Sequence, residues 1–192
     1  MKSNWRGCLL EIVETIVLTL LIYLVVQTFV AQPYRIYQDS MEHTLDPGQM
    51  VLVDKLSPHF SDYKRGDVIV FQPPTGFAQD GSDVPFIKRV IGVAGDTVEV
   101  KDSAVWVNGA KLSEPYVFDG QSTDPTAGQS VWKVPAGDLF VMGDHRQLSE
   151  DSRAFGPIAK SAVIGRAWLR YWGGPFGFVG SASYDNIPSP AP

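Results

Sequence analysis

An apolar segment near the amino terminus constrains this chain more than any other feature of its sequence. Residues 12–31 would form a helix about 30 Å long, which matches the hydrocarbon thickness of a bilayer. The central run, residues 16–26, is apolar on every helical face apart from Thr19, whose hydroxyl can bond back to the helix. A helix buried in a soluble core would instead carry polar residues at helical spacing. The sequence therefore predicts one transmembrane helix.

The charges that flank this span predict its orientation. Lys2 and Arg6 precede the span and only Arg35 follows it closely, so the positive-inside rule places the amino end in the cytoplasm. A cleaved signal peptide is an alternative interpretation. The nearest cleavage candidate, Phe29-Val30-Ala31, argues against it because a bulky phenylalanine stands where a small residue is needed.

Composition argues against several classes of function. The 192 residues suit one domain of ordinary size with a small additional element. A net charge of −5 and the lack of a basic stripe argue against a nucleic-acid partner. Cys8 is the only cysteine and the three histidines are scattered, so neither a disulfide nor a metal site is expected. No cofactor is predicted.

Beyond the span, the pattern changes to short β segments separated by turn residues. Asn108-Gly109 favours a tight hairpin because both residues tolerate a positive φ. The pattern predicts a mainly β fold, with a curved, antiparallel, barrel-like domain preceded by the single transmembrane α-helix. The predicted strands are residues 50–55, 67–71, 86–93, 97–101, 105–107, 139–142 and 162–171.

These patterns divide the chain into three parts. Residues 1–31 hold a short cytoplasmic end and the transmembrane helix, and residues 32–172 form the β-rich domain. Residues 173–192 are rich in Gly, Ser and Pro, which predicts a flexible tail. Residues 73–85 and 119–129 have a turn-forming composition that predicts surface loops.

A serine and a lysine in this domain could supply a nucleophile and its general base. Ser40 is a weak nucleophile until a base accepts its proton. Lys88 and Arg89 are adjacent in an otherwise apolar predicted strand, where neighbours point to opposite faces, so one cation must face the apolar side. Burial disfavours a charged ammonium and lowers the lysine pKa, as a general base near neutral pH requires.

Three segments together resemble the serine, lysine and glycine-aspartate boxes of type I signal peptidases. The first is SMEHTL from Ser40, the second is KRVIGVAGD from Lys88, and the third is GDHRQLSEDSRAFGP from Gly143. Their order and the preceding membrane segment strengthen the resemblance, which covers residues 27–170. It implies that Ser40 is the nucleophile and Lys88 the general base, with the Ser40 N–H as an oxyanion donor. Gln38 stands where some members carry a second donor, a serine hydroxyl.

The resemblance also implies supporting and substrate-binding residues. Ser149 would hydrogen-bond the lysine amine, and Asp151 and Arg153 would hold that loop. Asp144 would lie near Arg89. Shallow pockets that admit alanine would be lined by Tyr34, Ile36, Met41, Leu45, Phe86 and Ile87.

The function implied by the resemblance is that of a membrane-bound serine endopeptidase. It would remove signal peptides from exported preproteins after Ala-x-Ala sites, through an acyl-enzyme. The protein would be a monomer that spans the plasma membrane once, with its catalytic domain on the outer face. Its partners would be preproteins and the lipid bilayer.

Three alternatives remain open at this point. One is a catalytically silent, membrane-tethered β module that binds extended peptides, and another is a different Ser-Lys peptidase of the same superfamily. The third is a histidine base, either His43 or His145, in a Ser-His-Asp arrangement with Asp144. Cleavage of a preprotein would separate the first alternative from an enzyme.

Overall fold

The amino-terminal helix is the first element of the computed structural model, which describes residues 5–77, 84–126, 128–184 and 186–190. Helix α1 spans Trp5–Val25 and continues as one π-helical turn, Val26–Val30. The stretch Gly7–Val30 is long and apolar enough to cross a membrane, and its side chains are exposed. The helix begins earlier than the predicted span because nothing in residues 5–11 interrupts it. Lys2, on which the predicted orientation depends, lies outside the described residues.

Twelve strands follow in the described residues. They are antiparallel, and they form a larger, curled half-barrel sheet and a smaller sheet, so the mainly β prediction is confirmed. In chain order the strands are β1 (Ala31–Arg35), β2 (Met50–Asp54), β3 (Val68–Phe71), β4 (Phe86–Val93), β5 (Thr97–Lys101), β6 (Ala104–Val107), β7 (Ala110–Lys111), β8 (Val131–Lys133), β9 (Asp138–Met142), β10 (Ile158–Ala159), β11 (Val163–Trp172) and β12 (Gly177–Phe178).

The larger sheet contains the strands around which the candidate site is built. Its order is β1-β2-β11-β3-β4-β9-β10, and β12 pairs with β11. The smaller sheet has the order β7-β6-β5-β8. No residue separates the π-helical turn from β1, so the membrane helix runs directly into the edge of the larger sheet.

The predicted strands agree with the structure, but five short strands were missed. Strands β4 and β5 coincide with their predicted bounds. The other predicted strands differ by one residue at one end, except β11, which is shifted by one residue at both ends. Strand β1 was missed because Pro33 argues against a strand. Proline is tolerated there because β1 is an edge strand of the sheet. The other missed strands are β7, β8, β10 and β12, and each has only two or three residues.

Packed apolar clusters hold the two sheets and the site together. One cluster joins β5, β6 and β8 of the smaller sheet to β4 and β9 of the larger sheet. A second cluster places Met41 and Leu45 against β2, β3 and β11. The segment that carries Ser40 is therefore anchored to the larger sheet by its own apolar side chains.

Composition predicts a flexible tail for residues 173–192, and the described part of this segment contains a short strand and two buried apolar residues. Residues 177–178 form β12, and Tyr184 and Ile187 are both buried in the cluster that joins the sheets. These two apolar residues among many Gly, Ser and Pro residues supply the burial that composition alone did not reveal. Of the two predicted loops, residues 78–83 and 127 lie outside the described residues. Thr123 of the second loop is buried, and its hydroxyl accepts a hydrogen bond from Arg146.

Candidate active site

Ser40 lies in a single 3₁₀ turn, Asp39–Met41, in the connection between β1 and β2. Its side chain is only 3% exposed. Met41 and Leu45 of the same connection are buried, and the Leu45 N–H donates to the Met41 carbonyl at 2.7 Å. The backbone N–H of His145 donates to the Ser40 carbonyl at 3.1 Å. The serine is therefore fixed both by its own segment and by the third box.

Lys88 reaches Ser40 from the middle of β4. It stands opposite Ile69 of β3, and it is 1% exposed. A hydrogen bond of 2.6 Å joins Lys88 Nζ to Ser40 Oγ. Nζ also lies 5.0 Å from the centre of the Phe86 ring. The structure thus brings together the serine and the lysine selected from the sequence, while Arg89 points to the opposite face, as strand alternation requires.

Burial controls the protonation of Lys88. Desolvation lowers the pKa of Lys88 from 10.5 to about 8, and this is the largest influence on it. The negative charges of Asp151, Glu150 and Asp144 oppose the effect of burial and raise the pKa. With a pKa near 8, roughly a tenth of the amine is neutral at pH 7. The neutral amine is the form that can accept a proton from the serine hydroxyl.

Arg89 is buried on the other face of β4 and is held by five hydrogen bonds. Its Nε and Nη2 donate to the two carboxylate oxygens of Asp144 at 2.9 and 2.7 Å. Nη2 also donates to the Thr44 hydroxyl at 3.1 Å, and Nη1 donates to the carbonyls of Gly66 and Gly180 at 2.9 and 3.2 Å. Asp144 therefore lies next to Arg89 as expected, in a two-point ion pair.

Thr44 links this ion pair to the nucleophile segment. Its hydroxyl donates to Asp144 Oδ2 at 2.5 Å while it accepts from Arg89. Thr44 follows Ser40 by one turn of chain, and its backbone N–H donates to the Met41 carbonyl at 3.1 Å. A movement of Asp144 would therefore also displace the segment that carries the serine.

Ser149 bonds to Asp151 rather than to Lys88. Its hydroxyl donates to Asp151 Oδ2 at 2.7 Å, and no hydrogen bond joins Ser149 to Lys88 within the described residues. The direct contact expected with the amine is not made, because the nearby carboxylate offers a charged acceptor. Ser149 still lies close to the nucleophile. A Cβ on Gly143 would overlap the Ser149 hydroxyl and approach the Ser40 carbonyl oxygen to 2.5 Å, so only glycine fits between them.

Asp151 and Arg153 are bonded to each other within the third box. Asp151 caps the short helix α2 (Ser152–Phe155) by accepting from the Arg153 backbone N–H at 3.1 Å. The Arg153 guanidinium donates to both Asp151 oxygens, each at 2.9 Å, and the Gly143 N–H donates to Asp151 at 3.1 Å. Burial alone would raise the pKa of Asp151, but these bonds and the Arg153 charge hold it below its usual value.

Neither nearby histidine bonds the serine hydroxyl in the part of the chain that the structure describes. His145 Nδ1 lies 2.7 Å from Glu42 Oε2, and its ring stacks on Phe118 with ring centres 4.3 Å apart. His43 packs edge-on against the same phenylalanine at 5.8 Å. A Ser-His-Asp triad needs a histidine bonded to the serine, so this geometry does not support that alternative.

Two cavities open near Ser40. The larger, of about 290 Å³, is lined by Tyr37, Gln38, Asp39, Ser40, Phe86, Lys88, Leu148 and Glu150. The smaller, of about 20 Å³, includes Tyr34, Ile36 and Ile87 in its wall. Four of the six predicted pocket residues therefore line a cavity beside or near the serine. Met41 and Leu45 line neither, because both are buried beneath the nucleophile segment at 0% and 1% exposure.

Sequence reasoning missed three residues that belong to this arrangement, namely Thr44, Gly143 and Glu150. All three lie within the quoted boxes, but a motif does not reveal which side chains face the cleft or the ion pair. Gly143 could have been recognised from the sequence, since a glycine beside functional residues often marks a close approach of two backbones. Within the described residues, no three His, Cys, Asp or Glu side chains are grouped in a way that could hold a metal ion.

Comparisons with known proteins show the family of this chain. Residues 9–172 match the family described as signal peptidase, peptidase S26. A signal peptidase I from Leptolyngbya laminosa is 39% identical over 166 residues, which cover 85% of this chain and 80% of the relative. A probable signal peptidase I-1 from Synechocystis sp. is 37% identical over 193 residues, which cover 96% of both chains. A crystal structure of a signal peptidase I from Enterococcus faecalis aligns with 34% identity and a TM-score of 0.45, covering 55% of this chain and 97% of that chain. The chain therefore belongs to the signal peptidase family of S26 peptidases.

Proposed function

We propose that this peptidase removes signal peptides from exported preproteins, with Ser40 as the nucleophile and Lys88 as the general base. The observation that carries the proposal is the 2.6 Å hydrogen bond between Lys88 Nζ and Ser40 Oγ, two groups almost entirely shielded from water. The lowered pKa of Lys88, about 8, adds support because it makes the neutral amine available near physiological pH. Membership of the signal peptidase family supplies the substrate class.

The proposed reaction proceeds through an acyl-enzyme. Ser40 Oγ attacks the scissile carbonyl while the neutral Lys88 amine accepts its proton. The resulting ammonium gives that proton to the leaving amine nitrogen as the peptide C–N bond breaks, which leaves an ester on Ser40. Lys88, neutral again, then accepts a proton from water as the water attacks the ester, and the same proton returns to Ser40. The backbone N–H of Ser40 is our proposed donor to the oxyanion, a contact worth about 3 to 4 kcal/mol in known sites.

The supporting residues are proposed to act by position rather than by proton transfer. Ser149, bonded to Asp151, would keep the third box closed over the amine, and Asp151 and Arg153 would hold that loop. Arg89 and Asp144 would fix the nucleophile segment through Thr44. Each of these residues is buried or half-buried, which favours such a role.

Substrate selection is proposed to depend on the small cavities beside the serine. Tyr34, Ile36 and Ile87 line a cavity of about 20 Å³, which suits a methyl group better than a larger side chain. Phe86 borders the larger cleft next to Lys88. A signal peptide would lie extended between the segment before Ser40 and the start of β4, using backbone hydrogen bonds for affinity and the cavities for specificity. This arrangement would favour Ala-x-Ala sites.

The lipid bilayer is the second proposed partner. Beside the exit of the membrane helix, Phe60 and Trp168 line a surface cavity together with Val30 and Ala31, and Phe178 packs on Trp168. Phe60, Phe178 and Trp168 are 82%, 73% and 46% exposed. Aromatic residues are enriched at membrane interfaces. We propose a single span in the plasma membrane, with the amino end in the cytoplasm and the catalytic domain on the outer face.

A preprotein cleavage assay tests the proposed function. The full-length protein in lipid vesicles should release a signal peptide from a preprotein that carries an Ala-x-Ala site, with the cut located by mass spectrometry. Ser40→Ala should release none while it keeps the unfolding temperature of the wild type. If the wild type binds the preprotein but never cuts it, the chain is a peptide-binding module instead.

The pH dependence of kcat/KM should report the titration of Lys88. Because the reaction needs the neutral amine, the rate should rise with pH through about 8. The carboxylate of Glu150 raises the pKa of Lys88, so Glu150→Gln should move the midpoint to lower pH. Glu99→Gln is a matched control, because Glu99 pairs with Lys101 on the exposed surface of β5. A midpoint that Glu150→Gln leaves in place would mean that the profile reports another group.

A further inference from the structure

The carboxyl-terminal strap, which we define as residues 180–184 and 186–190, crosses the back of the active site. It begins just after β12 and lies beyond residue 172, where the match to the family ends. The Ala182 N–H donates to the Gly66 carbonyl at 3.2 Å. Gly66 has φ +93°, and a Cβ there would collide with the backbone of Ala182, so the strap lies directly on this turn.

The first contact between the strap and the site is at Arg89. The Gly180 carbonyl accepts from Arg89 Nη1 at 3.2 Å, and the Gly66 carbonyl accepts from the same nitrogen at 2.9 Å. The remaining three N–H groups of Arg89 are used by Asp144 and Thr44. The strap therefore supplies the acceptor that completes the hydrogen bonding of a buried guanidinium, which is costly to leave unsatisfied.

The second contact is a tyrosine pair beneath the same guanidinium. The carbon at the centre of the Arg89 guanidinium lies 4.1 Å from the ring centre of Tyr116. The Tyr116 hydroxyl is hydrogen-bonded to the Tyr184 hydroxyl of the strap, and it also donates to Glu114 at 2.8 Å. Glu114 accepts in turn from Arg146 of the third box at 2.5 Å. Tyr184 thus supports the ring on which Arg89 rests and the chain of bonds that leads to the third box.

The far end of the strap is also tied down. The Pro188 carbonyl accepts from Asn108 Nδ2 at 2.9 Å and from Arg65 at 3.4 Å. Arg65 forms a two-point ion pair with Asp96, at 2.6 and 2.7 Å. Because Asn108 belongs to the smaller sheet's hairpin and Arg65 precedes β3 of the larger sheet, the strap bridges the two sheets.

We propose that the strap is a positioning element of the active site, and that Tyr184 is its principal positioning residue. The proposal rests on the proposed function, in that it concerns the placement of Ser40 and Lys88. Through Gly180 and Tyr184 the strap fixes Arg89, and Arg89 fixes Asp144. The residues on either side of Asp144 contact Ser40: the His145 N–H bonds the Ser40 carbonyl, and Gly143 packs against it.

In the proposed role, the strap excludes water from Arg89 and limits its freedom of movement. Without the Tyr184 ring and the Gly180 carbonyl, water would reach Arg89, and the guanidinium would no longer be held in one place. Asp144 and Thr44 would then gain freedom to shift, and Ser40 with them. A misplacement of about 1 Å at a reacting group can cost about 10²-fold in rate, so a partial loosening should lower kcat rather than substrate affinity.

Three variants of the full-length protein separate positioning from simple packing. Tyr184 and Ile187 are both 8% exposed and belong to the same apolar cluster, but only Tyr184 bonds to Tyr116. When cleavage is assayed well below the unfolding temperature of the variant, Tyr184→Ala should lower kcat about 10-fold and leave KM nearly unchanged. Ile187→Ala should lower the unfolding temperature similarly and leave kcat near the wild-type value. Tyr184→Phe, which removes only the hydroxyl, should lower kcat about 3-fold.

The outcomes distinguish this inference from the proposed function. If wild type cleaves the preprotein and Tyr184→Ala and Ile187→Ala lose kcat equally, the strap only stabilises the fold and the inference is overturned. Should Tyr184→Ala not fold, an unchanged kcat for Tyr184→Phe would overturn it as well. If wild type does not cleave at all, the proposed function fails. The inference is then tested by the reactivity of Ser40 towards a serine-directed phosphonate. A lower reactivity in Tyr184→Phe supports the inference, and an unchanged reactivity overturns it.

Discussion

Replacing Lys88 with alanine should lower kcat for preprotein cleavage by about 10²- to 10⁴-fold, the usual contribution of a positioned general base. The reason is geometric, because the Lys88 amine is the side-chain group hydrogen-bonded to the Ser40 hydroxyl in the described residues. The fold should survive, since removing a buried ammonium also removes its desolvation cost. Single-turnover cleavage, followed together with the circular dichroism melting curve, measures both effects.

Matched variants make this result specific to Lys88. Lys111→Ala changes an exposed lysine of β7 and should leave kcat unchanged. His43→Ala and His145→Ala should keep most activity, because the His145 contact with Ser40 uses its backbone N–H. If His145→Ala abolished cleavage in a folded protein and Lys88→Ala did not, a histidine mechanism would have to replace the serine-lysine one.

Replacing Asp144 with alanine should lower the free energy of unfolding by about 3 to 5 kcal/mol, the typical effect of breaking a buried ion pair. Arg89 and Asp144 have 2% and 0% exposed side chains, so the variant would leave a buried guanidinium without its counter-charge. The Thr44 hydroxyl would lose its acceptor as well. Urea unfolding of the full-length protein in detergent measures the change.

A surface ion pair provides the comparison for Asp144. Asp62 pairs with Lys160 at 2.7 Å, but its side chain is 73% exposed. Asp62→Ala should therefore change the free energy of unfolding by only about 0 to 1 kcal/mol. Similar losses for Asp62→Ala and Asp144→Ala would show that the Arg89 pair is not desolvated as the structure implies.

The sequence was most informative where local pattern and chemistry agree. Strand β4 was predicted at its observed bounds, and strand alternation correctly required Lys88 and Arg89 to face opposite sides. That reasoning needs only neighbouring residues. The pairing of Lys88 with Ser40 was inferred from the resemblance of the boxes, because the two residues are 48 positions apart and no local rule joins them.

What could not be predicted depends on contacts between distant segments. Ser149 was expected to bond Lys88, but its choice of acceptor depends on how the third box folds around Asp151. Met41 and Leu45 were expected in the pockets, although their burial follows from how the nucleophile segment packs on β2 and β3. The carboxyl-terminal strap was missed because composition records how many Gly, Ser and Pro residues a segment has, but not where its few apolar residues can bind.

Because the membrane helix leads directly into β1, the distance between the end of the helix and the serine is limited. Ser40 follows the end of the π-helical turn at Val30 so closely that it can lie no more than about 35 Å away, at about 3.5 Å per residue. Strand β1 cannot detach to increase this distance, because all five of its residues are paired with β2. In the proposed membrane-anchored state, the height of the serine above the bilayer would therefore be nearly constant. A peptide bond further from the membrane surface would be out of reach, however well its side chains fitted the cavities, so the enzyme would select cleavage sites by distance as well as by sequence.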